Sequence, residues 1–307
     1  MATTTVEARP ARAARRVGLP RLTTGQIIAF AILALVSITW IVPFLWMVAT
    51  SLKTPQELVG TNFWPKNPTL EPYRTAFFEF DRLPSWLRWT ANTAIITFVA
   101  VIGKVLSTTL VAYAFARLRW PGRDTVFALV LATMMIPSVV TMIPQFLVFA
   151  KLPAFGFQGS QNWINTFLPL TVPAFTGDAF FIFLMRQQMR SIPMELSEAA
   201  KIDGASELRV WWDVIVPLVK PVMAVVAIFT FQAAWEDFMG PLLYLQREDK
   251  YTLQLGLRQF DAAAGGLPAW NELMAASLVV MIPTIVIFLI FQKYFIEGVQ
   301  IAGSLKG

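Results

Sequence analysis

The chain has 307 residues, 56% hydrophobic and 14% charged, far from the quarter charged of a soluble domain, so lipid is the expected solvent. It has no cysteine and no histidine, which excludes disulfides, Cys/His metal sites, Cys nucleophiles and Ser–His–Asp chemistry. The net charge of +6 does not argue for nucleic acid, because the basic residues border apolar segments instead of forming one patch.

Taken in chain order, residues 1–24 read as a disordered basic tail carrying Arg9, Arg12, Arg15, Arg16 and Arg21. The apolar run behind it is too long for a secretory core and lacks a small-residue cleavage site, so it is expected to be retained as the first span. Residues 25–307 then form one all-α membrane domain. A helix of about 20 apolar residues crosses a bilayer, and six stretches qualify: 26–50, 92–115, 125–149, 163–185, 219–235 and 273–295. The fourth is interrupted by Pro169, Pro173 and Gly177, and the fifth is short before it meets Glu236. Irregular backbone at membrane depth is tolerated only where it is buried in protein or lines a wet cavity. Those two spans are therefore the first places to look for a path.

Lys and Arg give the orientation. With the N-terminus inside, fifteen basic residues fall on the cytoplasmic side and nine outside, with Lys104 left within the second span. The short loop 116–124, with Arg117, Arg119 and Arg123, is the most informative, because long loops translocate regardless of charge. Both termini are expected in the cytoplasm. The outer loop 52–91 is rich in aromatics, among them Phe63, Trp64, Trp86 and Trp89. It is read as an interfacial belt with short helices along the membrane surface in preference to a docking surface for an external partner.

Between the fourth and fifth spans, residues 186–217 read as a cytoplasmic helix-turn-helix. Ser191 and Pro193 suit the start of the first helix, with Glu195 and Glu198 at its positive end. Gly204 stands where a left-handed residue would end it. Ser206 caps the second helix, and Pro217 is expected to stop that helix before the next span. Ala199 and Ala200 leave a shallow face on which another surface can sit closely. So much structure exceeds what a connector needs.

Glu198-Ala199-Ala200, then Gly204, then Val214-x-Val216-Pro217 resembles the EAA loop of ABC importer permeases, with Val214 and Val216 in place of the usual Ile and Leu. Asp203-Gly204-Ala205-Ser206 is similar to the carbohydrate, MalG-like branch. The resemblance continues through Ser51-Leu52-Lys53, Ala112-Tyr113-Ala114-Phe115-Ala116-Arg117, Met134-Met135-Ile136-Pro137, Trp235-Glu236-Asp237-Phe238 and 298–307. It implies the type I importer permease fold in a bacterial inner membrane. It also implies a second homologous permease, two ATP-binding subunits and an extracytoplasmic substrate-binding protein. Glu198, Ala199, Ala200, Asp203, Gly204, Ala205 and Pro217 would form the coupling element, with Glu198 pairing a basic residue in an ATPase cleft and Gly204 allowing the bend. The end at 298–307 would touch the ATPase pair, unless it is only a frayed, flexible tail.

ATP is not expected on this chain. Gly103-Lys104 lacks the upstream glycine and following Ser/Thr of a phosphate loop and lies within a span. ATP and Mg would sit on the partner ATPases, and no metal or cofactor is expected here. Ionisable groups within spans are path candidates. Lys104 and Asp178 qualify, each weighed against a structural role, while Trp235, Glu236 and Asp237 would line the outer mouth of the cavity, the competing reading of Glu236 and Asp237 being an outer-surface acidic pair. A sugar or oligosaccharide is the expected solute, with glycerol phosphate as the alternative. A secondary transporter would show inverted repeats and an intramembrane enzyme would need clustered ligands. Neither pattern is present in the sequence.

Overall fold

The structure, a computed structural model, describes residues 23–79, 82–262 and 269–304, with side chains described except at 261–262 and 294–304. Of the tail expected at 1–24, residues 1–22 lie outside the described residues and Thr24 already begins a helix; the last three residues, 305–307, also lie outside. The chain divides into two units, Met1–Trp46 and Met47–Gly307. In the first, the described part is helix α1 (Thr24–Ser51) up to Trp46, whose side chains there are exposed. An apolar helix with nothing buried is what hydrocarbon solvent permits.

The second unit is helical throughout its described length apart from turns and one isolated bridge, Pro153 with Asn162. Its helices are α2 (Glu71–Phe78), α3 (Leu83–Arg117), α4 (Arg123–Ala132), α5 (Ser138–Lys151), α6 (Leu168–Thr171) and α7 (Ala179–Ser191). They continue as α8 (Glu195–Ile202), α9 (Glu207–Arg209), α10 (Val216–Leu218), α11 (Lys220–Trp235), α12 (Met239–Tyr244), α13 (Leu253–Ala262) and α14 (Trp270–Ser304). The long α3 is the spine, packed against α7, α11 and the turn Val172–Thr176, with α14 on α11.

Among the described residues, four segments are long and apolar enough to cross a membrane: Thr24–Ser51, Leu83–Arg117, Leu168–Ser191 and Trp270–Lys293. The expected third span is not one straight helix. Arg123–Met135 and Ser138–Lys151 meet at 101°, because Pro137 lacks an N–H and drives Ile136 out of the helical region, to φ −86° and ψ 115°. The expected fifth span is the single helix α11, and an 81° bend separates it from the preceding Glu207–Leu218. The break falls at Val219 (φ −104°, ψ 8°), just before the proline at 221, and not at Pro217, which lies inside α10. At the other end, 298–307 was expected to be flexible. Instead α14 stays helical to Ser304, since no proline follows Pro283.

The aromatic loop departs from expectation only in part, since Phe63 and Trp64 are exposed as an interfacial belt requires. Trp86 and Trp89 are 4% and 3% exposed, packed with Trp235, Leu253, Phe260 and Val280 in one cluster. Their indole N–H groups donate to the carbonyls of Ala76 at 2.9 Å and Glu248 at 3.1 Å. Satisfying those donors lets the rings leave the interface for a core. Lys250, also buried, donates to the carbonyls of Gln158, at 2.7 Å, and Asn165, which stitches two outer loops together.

Candidate functional site

The segment 195–218 begins with α8, whose first turn holds Glu195 and Glu198. Ser191 does not cap it. That residue ends α7 and its hydroxyl donates back to Gln188 O at 2.8 Å, while Pro193 stands two residues ahead of the helix. The approach is held by Arg117, whose guanidinium donates to Ile192 O at 2.8 Å. The C-terminal end follows the Schellman pattern. Gly204 N donates to Lys201 O at 3.0 Å and Ala205 N to Ala200 O at 2.9 Å, with Gly204 at φ +84°, where a side chain is strained. Ser206 then caps α9 through Arg209 N at 3.4 Å. After α9 the chain runs as a π-helical turn, Val210–Ile215, a geometry frequent at functional sites.

This hairpin has two faces. Its base is sunk in the bundle, where Val210 and Ile215 are wholly buried among Ala112 and Tyr113 of α3, Met185 and Met189 of α7, and Val222 and Val226 of α11. Its top is bare. Leu196, Glu198 and Ala199 are exposed, and the apolar side chains of Ile202, Leu208 and Trp212 are exposed by 86%, 67% and 57%. The spacing Leu196, Ala199, Ile202 is a helical i, i+3, i+6 row. Exposed apolar side chains gathered beside Glu198 suit an interaction surface.

One polar tie joins this hairpin to the spine. Glu207 accepts from Tyr113 OH at 2.6 Å and pairs with Lys201. Burial pushes its carboxyl up, but the hydrogen bonds from Lys201 and Tyr113, with the Lys201 charge, outweigh that and hold it below the usual range. Both limbs of the hairpin and the end of α3 thus meet at one carboxylate.

The path candidates lie elsewhere, and most are occupied with the backbone. Lys104 donates to Gly177 O at 3.1 Å and Ser107 to Ala174 O at 3.1 Å, so α3 satisfies carbonyls that the break between α6 and α7 leaves open. A Cβ on Gly103 would come within 2.7 Å of the Phe175 ring. The Gly-Lys pair therefore seats the broken span against α3. Asp178 caps α7, accepting from Phe180 N at 3.0 Å and Phe181 N at 3.3 Å. Trp235 is buried, stacks on Phe231 and donates to Val280 O at 3.1 Å. Asp237 accepts from Gly240 N at 3.0 Å. Burial raises its carboxyl, against the pull of the Gly240 and Met239 amides. Glu236 is exposed. A cavity of about 650 Å³ between α3, α11 and α14 is lined by Phe98, Val101, Ile228, Phe231 and other apolar groups, which suits hydrocarbon better than a sugar.

Residues 104–301 match the family model described as "binding-protein-dependent transport system inner membrane component". The chain belongs to this family. Among its relatives, the galactooligosaccharides transport system permease protein of Bacillus subtilis is 33% identical over 91% of this chain and 95% of its own length. The arabinooligosaccharides transport system permease protein of Halalkalibacterium halodurans is 30% identical over 95% and 100%. The sn-glycerol-3-phosphate transport system permease protein of Yersinia pestis is 33% identical over 67% and 70%. Among solved structures, a chain of a bacterial ABC transporter involved in the import of the acidic polysaccharide alginate has a TM-score of 0.75 at 22% identity. The match covers 90% of this chain and 100% of that one, so this permease shares its fold.

Sequence reasoning located the hairpin but not its exposed apolar row or its tie to α3. Two signals were available. Ile202 and Leu208 stand among charged residues where a solvated loop would be polar, and Tyr113 places a hydroxyl near the end of a span.

Proposed function

We propose that this permease subunit serves an ATP-driven importer of sugars or oligosaccharides and receives force through Glu198–Pro217. The observation that carries the reading is the two-faced hairpin, buried at Val210 and Ile215 and bare at Leu196, Glu198, Ala199 and Ile202. A lever must be rigid at its root and adhesive at its tip. Glu198 pairs with a basic residue in a cleft of an ATP-binding subunit, Ala199 and Ala200 allow close approach, and Asp203-Gly204-Ala205 sets the bend. ATP and Mg reside on that partner, of which there are two per complex, and this chain binds no cofactor. Closure of the ATPase pair rotates this chain against a second, homologous permease between inward- and outward-facing states.

Taking the bent pair Arg123–Lys151 as one crossing and α11 alone as another, beside the four long apolar segments, gives six, with both termini and the hairpin in the cytoplasm of a bacterium. An extracytoplasmic binding protein delivers the solute. Glu236, exposed beyond α11, is the path residue with a carboxylate free for sugar hydroxyls, while Lys104, Asp178, Trp235 and Asp237 shape the path's walls. An oligosaccharide is favoured because the two oligosaccharide permeases align over at least nine-tenths of this chain, against 67% for the glycerol-phosphate relative.

Co-purification tests the reading. The chain should come out with a second permease and an ATPase, and oligosaccharide should stimulate ATP hydrolysis only with the binding protein present. Stimulation by glycerol phosphate alone would transfer the assignment to that solute. An isolated chain that transports without an ATPase would overturn it.

A further inference from the structure

The turn between α3 and α4 holds a concavity of about 380 Å³ lined by Arg119, Trp120, Gly122, Arg123, Asp124 and Thr125. Arg123 is fixed by donating to Leu118 O at 3.3 Å and to Asp124 Oδ1 at 3.0 Å. Behind it, Arg186 of α7 is 8% exposed. It donates to Phe115 O at 3.2 Å, lies 4.1 Å from the centre of the Phe127 ring and reaches Asp124 at 3.7 Å. Arg190 also acts on Asp124, and both Arg123 and Arg190 repel Arg186. Four guanidinium groups thus converge on a turn whose only lining acid is Asp124, with a side chain 75% exposed. Screening at so exposed a carboxylate leaves the surplus positive charge uncompensated.

The surroundings decide what kind of anion fits. Trp120 packs on Phe115 at 5.8 Å, at the end of a membrane-crossing helix where indoles sit at headgroup level. One turn along α4 from Thr125, on the same face, Leu129 is 63% exposed, and Val126 beside it is exposed as well. A ligand filling this place needs an anionic head against the arginines and a hydrocarbon tail along α4. A basic loop that only set topology would need neither the concavity nor the buried Arg186 beneath it.

We propose that this turn binds the phosphodiester headgroup of an anionic membrane lipid, with Arg119 and Arg123 as headgroup contacts and Arg186 holding Asp124 from below. The proposal rests on α3 crossing the membrane and is independent of what is transported.

The test uses the full permease complex in vesicles or nanodiscs, comparing phosphatidylglycerol with phosphatidylcholine. Retained lipid is counted by native mass spectrometry and thermal stability is measured beside it. The wild-type complex should retain phosphatidylglycerol in preference to phosphatidylcholine. The double variant Arg119→Gln with Arg123→Gln should bind it on the order of thirtyfold more weakly, at about 1 kcal/mol per basic residue near the surface. Should the double variant fold poorly, Arg119→Gln alone, at an exposed position, gives the smaller loss. An unchanged lipid preference in the variants would overturn the proposal. So would equal protection by inorganic phosphate, which would make the ligand a soluble anion. Loss of ATPase assembly with lipid retention intact would assign the arginines to an acidic partner surface and overturn it too.

Discussion

The hydroxyl of Tyr113, near the end of the longest spine helix, lies 2.6 Å from the carboxylate of Glu207, and that same carboxylate holds Lys201. Movement of either limb of the hairpin is therefore felt at α3. A hydrogen bond to a charged group contributes about 1.5–3 kcal/mol when sheltered, and exposure of Glu207 places this one at the lower end. Tyr113→Phe keeps the ring in its buried site and removes only the tie. It should leave assembly intact and lower the solute moved per ATP hydrolysed severalfold. An unchanged ratio would show that the tie carries no motion.

The same carboxylate gives a pH dependence. Its folded pKa is depressed below the ordinary 4.5. Its contribution to stability is therefore present above about that pH and lost as pH falls through the lower folded value. Hydrogen exchange in 195–209 should stay slow from pH 7 down to about 5 and quicken below about 4.5, after correction for the intrinsic rate. Glu207→Gln should abolish that step.

Gly204 offers a test of geometry without crowding. A Cβ there meets nothing within 4 Å, so the penalty of Gly204→Val is the left-handed backbone itself, on the order of 1–2 kcal/mol. The variant should insert normally and hydrolyse ATP while importing little solute, whereas Gly204→Asn, which tolerates that conformation, should retain most transport. Equal import by both variants would sink the hinge role.

Lys104 is expected to matter for stability first. Lys104→Met strands the Gly177 carbonyl within the membrane, a loss of about 1–3 kcal/mol. The detergent-solubilised complex should melt several degrees lower. A variant that melts normally but raises the solute concentration needed for half-maximal import would instead put the ammonium group in the path.

Trp235 and Glu236 should separate cleanly despite being adjacent. Trp235→Phe loses the bond to Val280 O and part of a stacked core contact, so its defect should be thermal stability, by about 1–2 kcal/mol. Glu236→Gln should leave stability alone and change solute concentration dependence. A stability loss at Glu236 equal to that at Trp235 would remove it from the path.

Much of this was legible beforehand because the signals are local. Apolar runs report the solvent, and Gly204 and Ser206 mark the hairpin's end and restart through backbone rules spanning a few residues. What went astray was non-local. Trp86 and Trp89 read as an interfacial belt because sequence shows their amphipathic rings but not the carbonyls of Ala76 and Glu248 that receive their N–H groups. The 101° bend at Pro137 was signalled by the proline, yet hydropathy averages over direction and cannot register an angle.

The sequence by itself determined that this chain lives in lipid, that it lacks Cys and His chemistry, and that a helix-turn-helix lies within 186–217 with Gly204 at its turn and Ser206 as a cap. These follow from composition and short-range sterics. Only the tertiary structure decided that Lys104 answers Gly177, that Glu207 gathers Tyr113 and Lys201, and that Arg186 of α7 reaches Asp124 beside the turn after α3. Such partners are 6 to 94 residues apart in the chain. Their meeting depends on how α3, α7 and the hairpin pack, which no local periodicity encodes.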